Sequence, residues 1–280
     1  ANPPTANLPT GNGTLLPPVT GTGIDLLNVN RSFGAWQQGS TFYLEDASKS
    51  MFNPTASTMP GDPVGVIVTL NALNTSPQNQ NFDYTIFTAG STNFSGSSTG
   101  NGAKAVSTHW NSIKSFDYFK NTFNRNSIDG VGGNILAFFN VAEDNGTSME
   151  NAFWNGAAMW YGNGGSTFKE LARGLDVGGH EMTHGVVEKT ANLVYQNESG
   201  ALNESFADIF GAMIDRDDWK MGEDVMQPGA SPNGALRDLS NPHNGDVTNG
   251  SWWQAQHVNE QYTGTGDNGG VHINSGIPNY

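Results

Sequence analysis

The sequence predicts an α+β protein of two lobes, in which strands come first along the chain and helices follow. Short alternating apolar runs, separated by Gly, Pro, Asn and Ser, occupy residues 23–100. Apolar side chains then recur every three or four residues between Val106 and Phe123, and the pattern is again helical from residue 174 onward. Strands and helices that are segregated in this way favour α+β over α/β architecture.

The elements are predicted in the following order. Residues 1–22, rich in Pro, Gly and Thr, are expected to form an extended arm. A β-rich lobe over 23–195 and a helical lobe over 196–280 follow it. Strands are predicted at 41–44, 64–70, 84–87, 135–141 and, as an edge strand, 151–154. Helices are predicted from residue 103 for about 20 residues, at 175–190 and at 201–215, with a turn at 196–200. Residues 222–270 are predicted to be mostly loop.

Composition excludes several classes of function. The chain has 280 residues, no cysteine and a formal charge of −14. Without cysteine, disulfide scaffolds, thiolate zinc sites, iron–sulfur clusters and cysteine nucleophiles are excluded. The acidic balance argues against nucleic acids and anionic lipid surfaces as partners. No apolar run of about 18 residues is present, so we expect no membrane-spanning segment.

The motif that points to chemistry is His180-Glu181-Met182-Thr183-His184. On a helix, residues four apart lie on the same face, so both imidazoles can bind one metal ion. Glu181 lies about 100° further round the helix, where it can flank a metal-activated water without being a ligand. A pair of histidines on a helix surface is the structural alternative.

A third ligand would exclude that alternative, because catalytic zinc usually takes three protein ligands. A three-histidine pattern fails because Thr190 stands where a further histidine would be needed. The acidic candidates are Glu188, Glu198 and Glu204. Glu204 and Asp208 lie four residues apart in a helical segment, so Glu204 could bind the metal while Asp208 bonds the outer nitrogen of an imidazole.

These motifs resemble those of the thermolysin family. After His184, a gap of 19 residues leads to Glu204 within Asn203-Glu204-Ser205-Phe206-Ala207-Asp208. The segments Asp267–Gly276 and Asn151–Gly156 are similar to that family's second signature and substrate-binding edge strand. The resemblance is strong from about residue 100 to 280 and weak over 23–100. Relatives continue past Asn279 into further helices, so the resemblance implies that this chain lacks the end of the helical lobe.

The resemblance implies a thermolysin-like, two-lobed zinc endopeptidase that is secreted and made as a zymogen with a propeptide. Its zinc-activated water would attack the peptide bond, with Glu181 as general base. The remaining roles would be as follows: His180, His184 and Glu204 hold one catalytic Zn²⁺; Tyr195 and His272 stabilise the oxyanion; Asp267 orients His272; Asp208 and Asn203 support the zinc ligands; Asn151, Ala152 and Arg237 bind the substrate backbone.

Specificity and calcium are also implied by matching positions. The pocket for the residue after the scissile bond would be lined by apolar side chains, namely Phe168, Leu171, Val177, Met221, Val225 and Leu236. We therefore expect cleavage before bulky hydrophobic residues. The family's double calcium site corresponds to Asp176, Asp215, Asp218 and Glu223. Lys220 opposes a second ion there, so the sequence predicts one structural Ca²⁺.

Two other functions remain open. Ser148-Met149-Glu150-Asn151 is similar to an exopeptidase loop, which would make the protein a zinc aminopeptidase. The other alternative is a zinc-binding shell whose catalysis is impaired. In either enzymatic case we expect a monomer that acts on proteins or peptides. Gly178 and Gly179 lie within the predicted zinc-binding helix, where each costs roughly 0.5–1 kcal/mol relative to alanine, which predicts a looser helix.

Overall fold

The strands and helices of the chain follow the predicted α+β order. The computed structural model describes residues 17–80, 82–96, 101–246 and 250–280. Its strands are β1 (Val19–Ile24), β2 (Asn30–Gln38), β3 (Thr41–Tyr43), β4 (Glu45–Asp46), β5 (Ile67–Thr75), β6 (Thr85–Ile86), β7 (Thr88–Ala89), β8 (Ile135–Val141), β9 (Ala152–Trp154), β10 (Met159–Gly162), β11 (Lys220–Met221) and β12 (Arg237–Asp238). Its α-helices are α1 (Gly102–Phe123), α2 (Leu175–Glu188), α3 (Asn197–Asp215), α4 (Asp267–Asn274) and α5 (Gly276–Asn279).

Strands β1 to β10 form two sheets. The first has the order β1-β2-β3-β7 and is antiparallel throughout. The second has the order β4-β5-β8-β10-β9, with β6 paired to β5; β5, β8 and β10 are mutually parallel, and β9 closes one end as an antiparallel edge strand. A small ribbon, β11-β12, lies in the second half of the chain.

The second sheet is buried on both faces, which explains the continuous apolar run of β8. Ala137 and Phe139 face a core that includes α1, whereas Phe138 faces a second apolar cluster. In that cluster Phe138 stacks on Trp160 with ring centroids 4.0 Å apart. The predicted periodicity of α1 buries Val106, Ile113, Phe116 and Phe119 in the first core.

The helices pack closely because glycines line their contacts. A Cβ on Gly178 would lie 2.7 Å from the Cβ of Asn111 in α1. A Cβ on Gly179 would lie 3.1 Å from the Cα of Gly211 in α3. The two glycines of α2 are therefore sites of close helix approach, and this packing accounts for their presence in the helix.

The structure differs from the sequence prediction around residues 196–200 and at the start of the described chain. The predicted turn at 196–200 is wrong, because α3 already begins at Asn197. Residues 1–16 of the predicted arm lie outside the described residues, and residues 19–22 belong to β1, which pairs with β2. Among the described residues, no helix combines the length and apolar character needed to cross a membrane.

Candidate metal centre

Three side chains from two helices converge on one point. His180 and His184 lie one turn apart on α2, and Glu204 faces them from α3. The two Nε2 atoms are 3.0 Å apart, His180 Nε2 lies 3.4 Å from Glu204 Oε2, and His184 Nε2 lies 3.4 Å from Glu204 Oε1. The ligand atoms of these three residues all lie within 4.8 Å of one another. Among the described residues, they form the group of His and carboxylate side chains that could hold a metal ion.

The outer nitrogens of both imidazoles lie close to side-chain oxygens. His184 Nδ1 lies 2.8 Å from the side-chain oxygen of Asn203, and His180 Nδ1 lies 2.9 Å from Asp208 Oδ1. Asp208 is fully buried and also accepts two hydrogen bonds from the Arg237 guanidinium, at 2.7 and 2.8 Å. These contacts fix the rings so that both Nε2 atoms face Glu204.

This group fits a zinc ion. Ligand atoms about 2.05 Å from a tetrahedral ion lie roughly 3.3 Å from one another, close to the separations above. Glu204 is 1% exposed, and its Oε2 has no hydrogen-bond partner. Burial opposes the charge of this carboxylate, but contacts with His272, His180 and His184 outweigh it and hold the pKa of Glu204 well below its usual range. An anionic oxygen without a partner beside two oriented imidazoles is a donor set typical of zinc.

Glu181 lies beside this group on α2 and lines the same cleft. Its Oε2 is buried without a hydrogen-bond partner. Burial raises the pKa of Glu181, against the opposing effect of His180 and His184. A raised pKa moves a carboxylate toward the range in which it can both accept and return a proton near neutral pH.

Tyr195 and His272 both contact the Glu204 carboxylate. The Tyr195 hydroxyl donates to Glu204 Oε1, and His272 Nε2 lies 3.2 Å from that hydroxyl. Burial and the Glu204 carboxylate raise the pKa of Tyr195, so the phenol keeps its proton. Burial alone would lower the pKa of His272, but contact with Glu204 outweighs it and raises that pKa to about 9.

Asp267 holds His272 in this position. Its two oxygens accept from His272 Nδ1 at 2.6 Å and from the His272 backbone N–H at 2.8 Å. The chain makes the necessary reversal through positive φ angles at each residue from Asp267 to Gly270. This conformation costs least at glycine and is tolerated by Asp and Asn, which explains the sequence Asp-Asn-Gly-Gly.

The metal centre opens into a cleft of about 660 Å³. The six apolar residues predicted to form a specificity pocket all line it: Phe168, Leu171, Val177, Met221, Val225 and Leu236. Asn151 and Ala152 line the same cleft at the edge strand β9, and Arg237 lines it from β12. The structure thus brings every residue predicted for zinc binding, catalysis and substrate binding into one cleft or directly behind it.

The predicted calcium ligands are less closely grouped. Burial and neighbouring carboxylates raise the pKa of Asp176 to about 6, of Asp215 to about 7 and of Glu223 to about 8. These groups therefore influence one another electrostatically. Their ligand atoms do not form a set within 4.8 Å among the described residues, and Asp218 accepts the Lys220 backbone N–H.

Two residues at the site escaped sequence reasoning. The Asn279 side chain donates to Asp208 Oδ2 at 3.0 Å, and nothing in its local sequence indicates this contact. Glu150, which the sequence associated only with an exopeptidase loop, accepts hydrogen bonds from three consecutive backbone amides at 166–168. The only indication in the sequence that Glu150 lies near the site is its position directly before Asn151.

Comparison with known proteins agrees with this geometry. Residues 20–188 match the thermolysin metallopeptidase catalytic domain, and residues 191–280 match the alpha-helical domain of the same family. Bacillolysin from Brevibacillus brevis is 43% identical over 268 residues, which cover 95% of this chain and 44% of that protein. An extracellular elastase from Staphylococcus epidermidis is 47% identical over 176 residues, 62% of this chain and 33% of that protein.

A solved structure shares the fold. The precursor of protealysin, a metalloproteinase from Serratia proteamaculans, has a TM-score of 0.62 and 29% sequence identity over 76% of this chain and 66% of that chain. This chain spans less than half the length of the two curated relatives. Two family domains that together match residues 20–188 and 191–280 show that the chain belongs to the thermolysin metallopeptidase family.

Proposed function

We propose that this protein is a secreted zinc endopeptidase that hydrolyses peptide bonds on the N-terminal side of bulky hydrophobic residues. The observation that carries the proposal is the convergence of His180, His184 and Glu204 at 3.0–3.4 Å, with Glu181 beside them in an open cleft. When bound to these ligands, Zn²⁺ would supply a Lewis acid that polarises the scissile carbonyl and acidifies a nearby water.

The chain's own residues would carry the remaining steps. Glu181 would accept a proton from the attacking water and return it to the leaving amine. Tyr195 and a protonated His272 would donate hydrogen bonds where negative charge develops on the carbonyl oxygen. Asp267 would keep His272 oriented and cationic. Tyr195, His272 and Asp267 already contact one another or Glu204: His272 Nε2 lies 3.4 Å from Glu204 and 3.2 Å from the Tyr195 hydroxyl, and His272 Nδ1 lies 2.6 Å from Asp267.

Substrate binding would use the edge strand and the apolar pocket. The backbone of β9 at Ala152 would add the substrate as an antiparallel strand, with the Asn151 side chain alongside. Arg237 would donate to a substrate carbonyl while Asp208 holds it. The apolar lining of the cleft supports Leu or Phe as the residue after the scissile bond.

Calcium, secretion and partners complete the proposal. We propose one structural Ca²⁺ bound by Asp176, Asp215, Asp218 and Glu223, since carboxylate oxygens suit this ion. The staphylococcal relative is named an extracellular elastase, and the protealysin structure is that of a precursor, which supports secretion and a propeptide. Substrates would be proteins and peptides, bound by a monomer.

The aminopeptidase alternative would need a carboxylate free to bind the substrate's amino terminus. The Glu150 carboxylate is already occupied by the backbone N–H groups of Ser166, Thr167 and Phe168. This favours the endopeptidase. The impaired zinc-binding shell differs from both in its lack of turnover.

The test is turnover of a blocked peptide with Leu after the scissile bond, by the wild-type chain and by Glu181→Gln, with zinc content measured in both. We expect cleavage by the wild type, and in Glu181→Gln unchanged zinc content with turnover reduced by at least about 100-fold. Glu198→Gln, on the first turn of α3, is the control. Zinc binding without turnover by the wild type would support the shell instead, and cleavage restricted to unblocked peptides would support the aminopeptidase.

A further inference from the structure

Glu150 links the edge strand to the wall of the apolar pocket. It directly precedes Asn151 and β9, and its carboxylate accepts hydrogen bonds from the backbone N–H groups of Ser166 at 2.9 Å, Thr167 at 2.7 Å and Phe168 at 2.9 Å. The Ser166 hydroxyl lies 3.2 Å from the same carboxylate. We propose that Glu150 is a positioning residue for specificity, which fixes Phe168 and so sets the size of the side chain accepted after the scissile bond. The proposal rests on the endopeptidase function above.

The loop is folded around the carboxylate. Successive backbone N–H groups that converge in this way form a concavity for an anion, and hydrogen bonds to a charged acceptor are stronger than neutral ones. The amide of Phe168, followed by those of Thr167 and Ser166, holds the pKa of Glu150 below its ordinary value. A Cβ on Gly165 would lie 2.5 Å from Glu150 Oε1, so a side chain at position 165 would collide with this carboxylate.

The other side of the same loop is attached to the opposite wall of the pocket. The Thr167 backbone carbonyl accepts a hydrogen bond from the Gln227 N–H at 2.9 Å, and the Lys169 backbone N–H donates to the Val225 carbonyl at 2.7 Å. Val225 and Phe168 both line the cleft, and Trp252 packs edge-on against Phe168. Phe168 therefore lies between two attachments, and Glu150 provides the one on the side of the substrate-binding strand.

Glu150 and that strand form a continuous unit. The Gly162 backbone N–H donates to the Asn151 carbonyl at 3.0 Å, and the Gly164 N–H donates to the Met149 carbonyl at 2.9 Å. The chain on either side of Glu150 is thus hydrogen-bonded to the segment that leads into the loop. Loss of the carboxylate would release Phe168 while β9 keeps its pairing with β10, so the effect should fall on the pocket rather than on backbone recognition.

The test compares Glu150→Ala and Glu150→Gln with the wild type on blocked peptides that carry Leu, Phe or Ala after the scissile bond. Glu143→Gln is the matched control, because Glu143 is exposed and lies in the neighbouring turn. Apolar pockets distinguish side chains that differ by a methylene by about 10- to 200-fold, so we expect Glu150→Ala to reduce the Leu-over-Ala ratio of kcat/KM by about tenfold. The loss should lie mainly in KM for Leu and Phe.

Glu150→Gln keeps the length of the side chain and one acceptor oxygen, so its ratio should fall between those of the wild type and Glu150→Ala. It also carries the test if Glu150→Ala folds poorly. Amide hydrogen exchange supplies a readout that is independent of activity: the N–H groups of residues 166–168 should lose protection in Glu150→Ala and keep it in Glu143→Gln.

Three results would overturn the proposal. An unchanged Leu-over-Ala ratio in a folded Glu150→Ala that has lost protection at 166–168 would mean that Glu150 does not set the pocket. An equal loss of kcat for all three peptides would mean that its role is purely structural. A wild-type chain that cleaves no blocked peptide would overturn the proposed function, and this proposal with it, and is distinguishable from the first two results.

Discussion

Replacement of the buried carboxylate of Asp208 should lower both the stability of the fold and the affinity of the metal centre for zinc. Asp208 is fully buried and contacts His180 at 2.9 Å, Arg237 at 2.7 and 2.8 Å, and Asn279 at 3.0 Å. Burial disfavours its charge, but Arg237 outweighs burial and keeps the pKa of Asp208 below its usual value. Asp208→Asn preserves the shape of the side chain and removes the charge.

The expected magnitudes differ for the two properties. Removal of one partner of a buried ion pair costs about 3–5 kcal/mol, because the other charge stays buried and unpaired. For a chain of this size that corresponds to a fall in Tm of roughly 10 °C. The loss of the carboxylate behind His180 should also weaken zinc binding by about 10- to 100-fold, because the ring is no longer held in orientation.

Thermal unfolding of the metal-free protein and a competitive zinc titration measure these effects separately. Arg237→Met is the informative control: it breaks the same ion pair but leaves the contact between Asp208 and His180. We therefore expect it to lower Tm while zinc affinity stays within about threefold of the wild type. Equal zinc affinity in Asp208→Asn and the wild type would refute the orienting role, and an unchanged Tm would refute the stabilising role of the ion pair.

Two further predictions concern calcium and the pocket. The pKa values of Asp215 and Glu223, raised by burial to about 7 and about 8, lie above those of the unfolded chain, which are about 4, so in the absence of Ca²⁺ these groups destabilise the fold progressively as pH rises from about 4 to 8. Because Ca²⁺ binds the deprotonated groups, the rise in Tm on addition of calcium at fixed zinc should grow over the same range, and a rise independent of pH would contradict the proposed site. Separately, Leu236→Phe narrows the cleft and should lower kcat/KM for peptides with Phe after the scissile bond by about tenfold relative to those with Ala, as measured in competition; equal effects on both would place Leu236 outside the pocket.

The features that could be predicted from the sequence are those that depend on residues close together in the chain. The spacing of His180 and His184 follows from helix geometry alone, and the apolar repeat from Val106 to Phe119 corresponds to the buried face of α1. The predicted fold class is likewise confirmed by the match to both domains of the family. Which of the acidic candidates would face the histidines depended on the packing of α3 against α2, which no single motif encodes without the family resemblance.

The wrong predictions, at 196–200 and in β1, arose at glycines that are required by tertiary packing rather than by a local turn. Gly200 suggested a turn at 196–200, but a Cβ there would lie 2.5 Å from Val271, so this glycine allows the chain carrying His272 to approach α3. Strand β1 contains Gly21 and Gly23, which weaken any strand pattern. A Cβ on Gly21 would lie 2.8 Å from the ring of Phe33, and one on Gly23 would lie 2.5 Å from Val106. In each case the small residue serves a neighbour distant in sequence.

The close approach of α2 to its neighbours also limits how the protein can be engineered. Exchange of glycine for alanine commonly raises thermostability by about 0.4–1 kcal/mol through the unfolded chain. At Gly178 and Gly179 that exchange would press α2 away from Asn111 and Gly211, and with it move His180 relative to Glu204. Gly90, which has open space around it and an ordinary backbone conformation, offers the same gain in chain entropy without that cost. A library that exchanged every glycine for alanine would therefore disturb α2, on which the spacing between His180 and Glu204 depends.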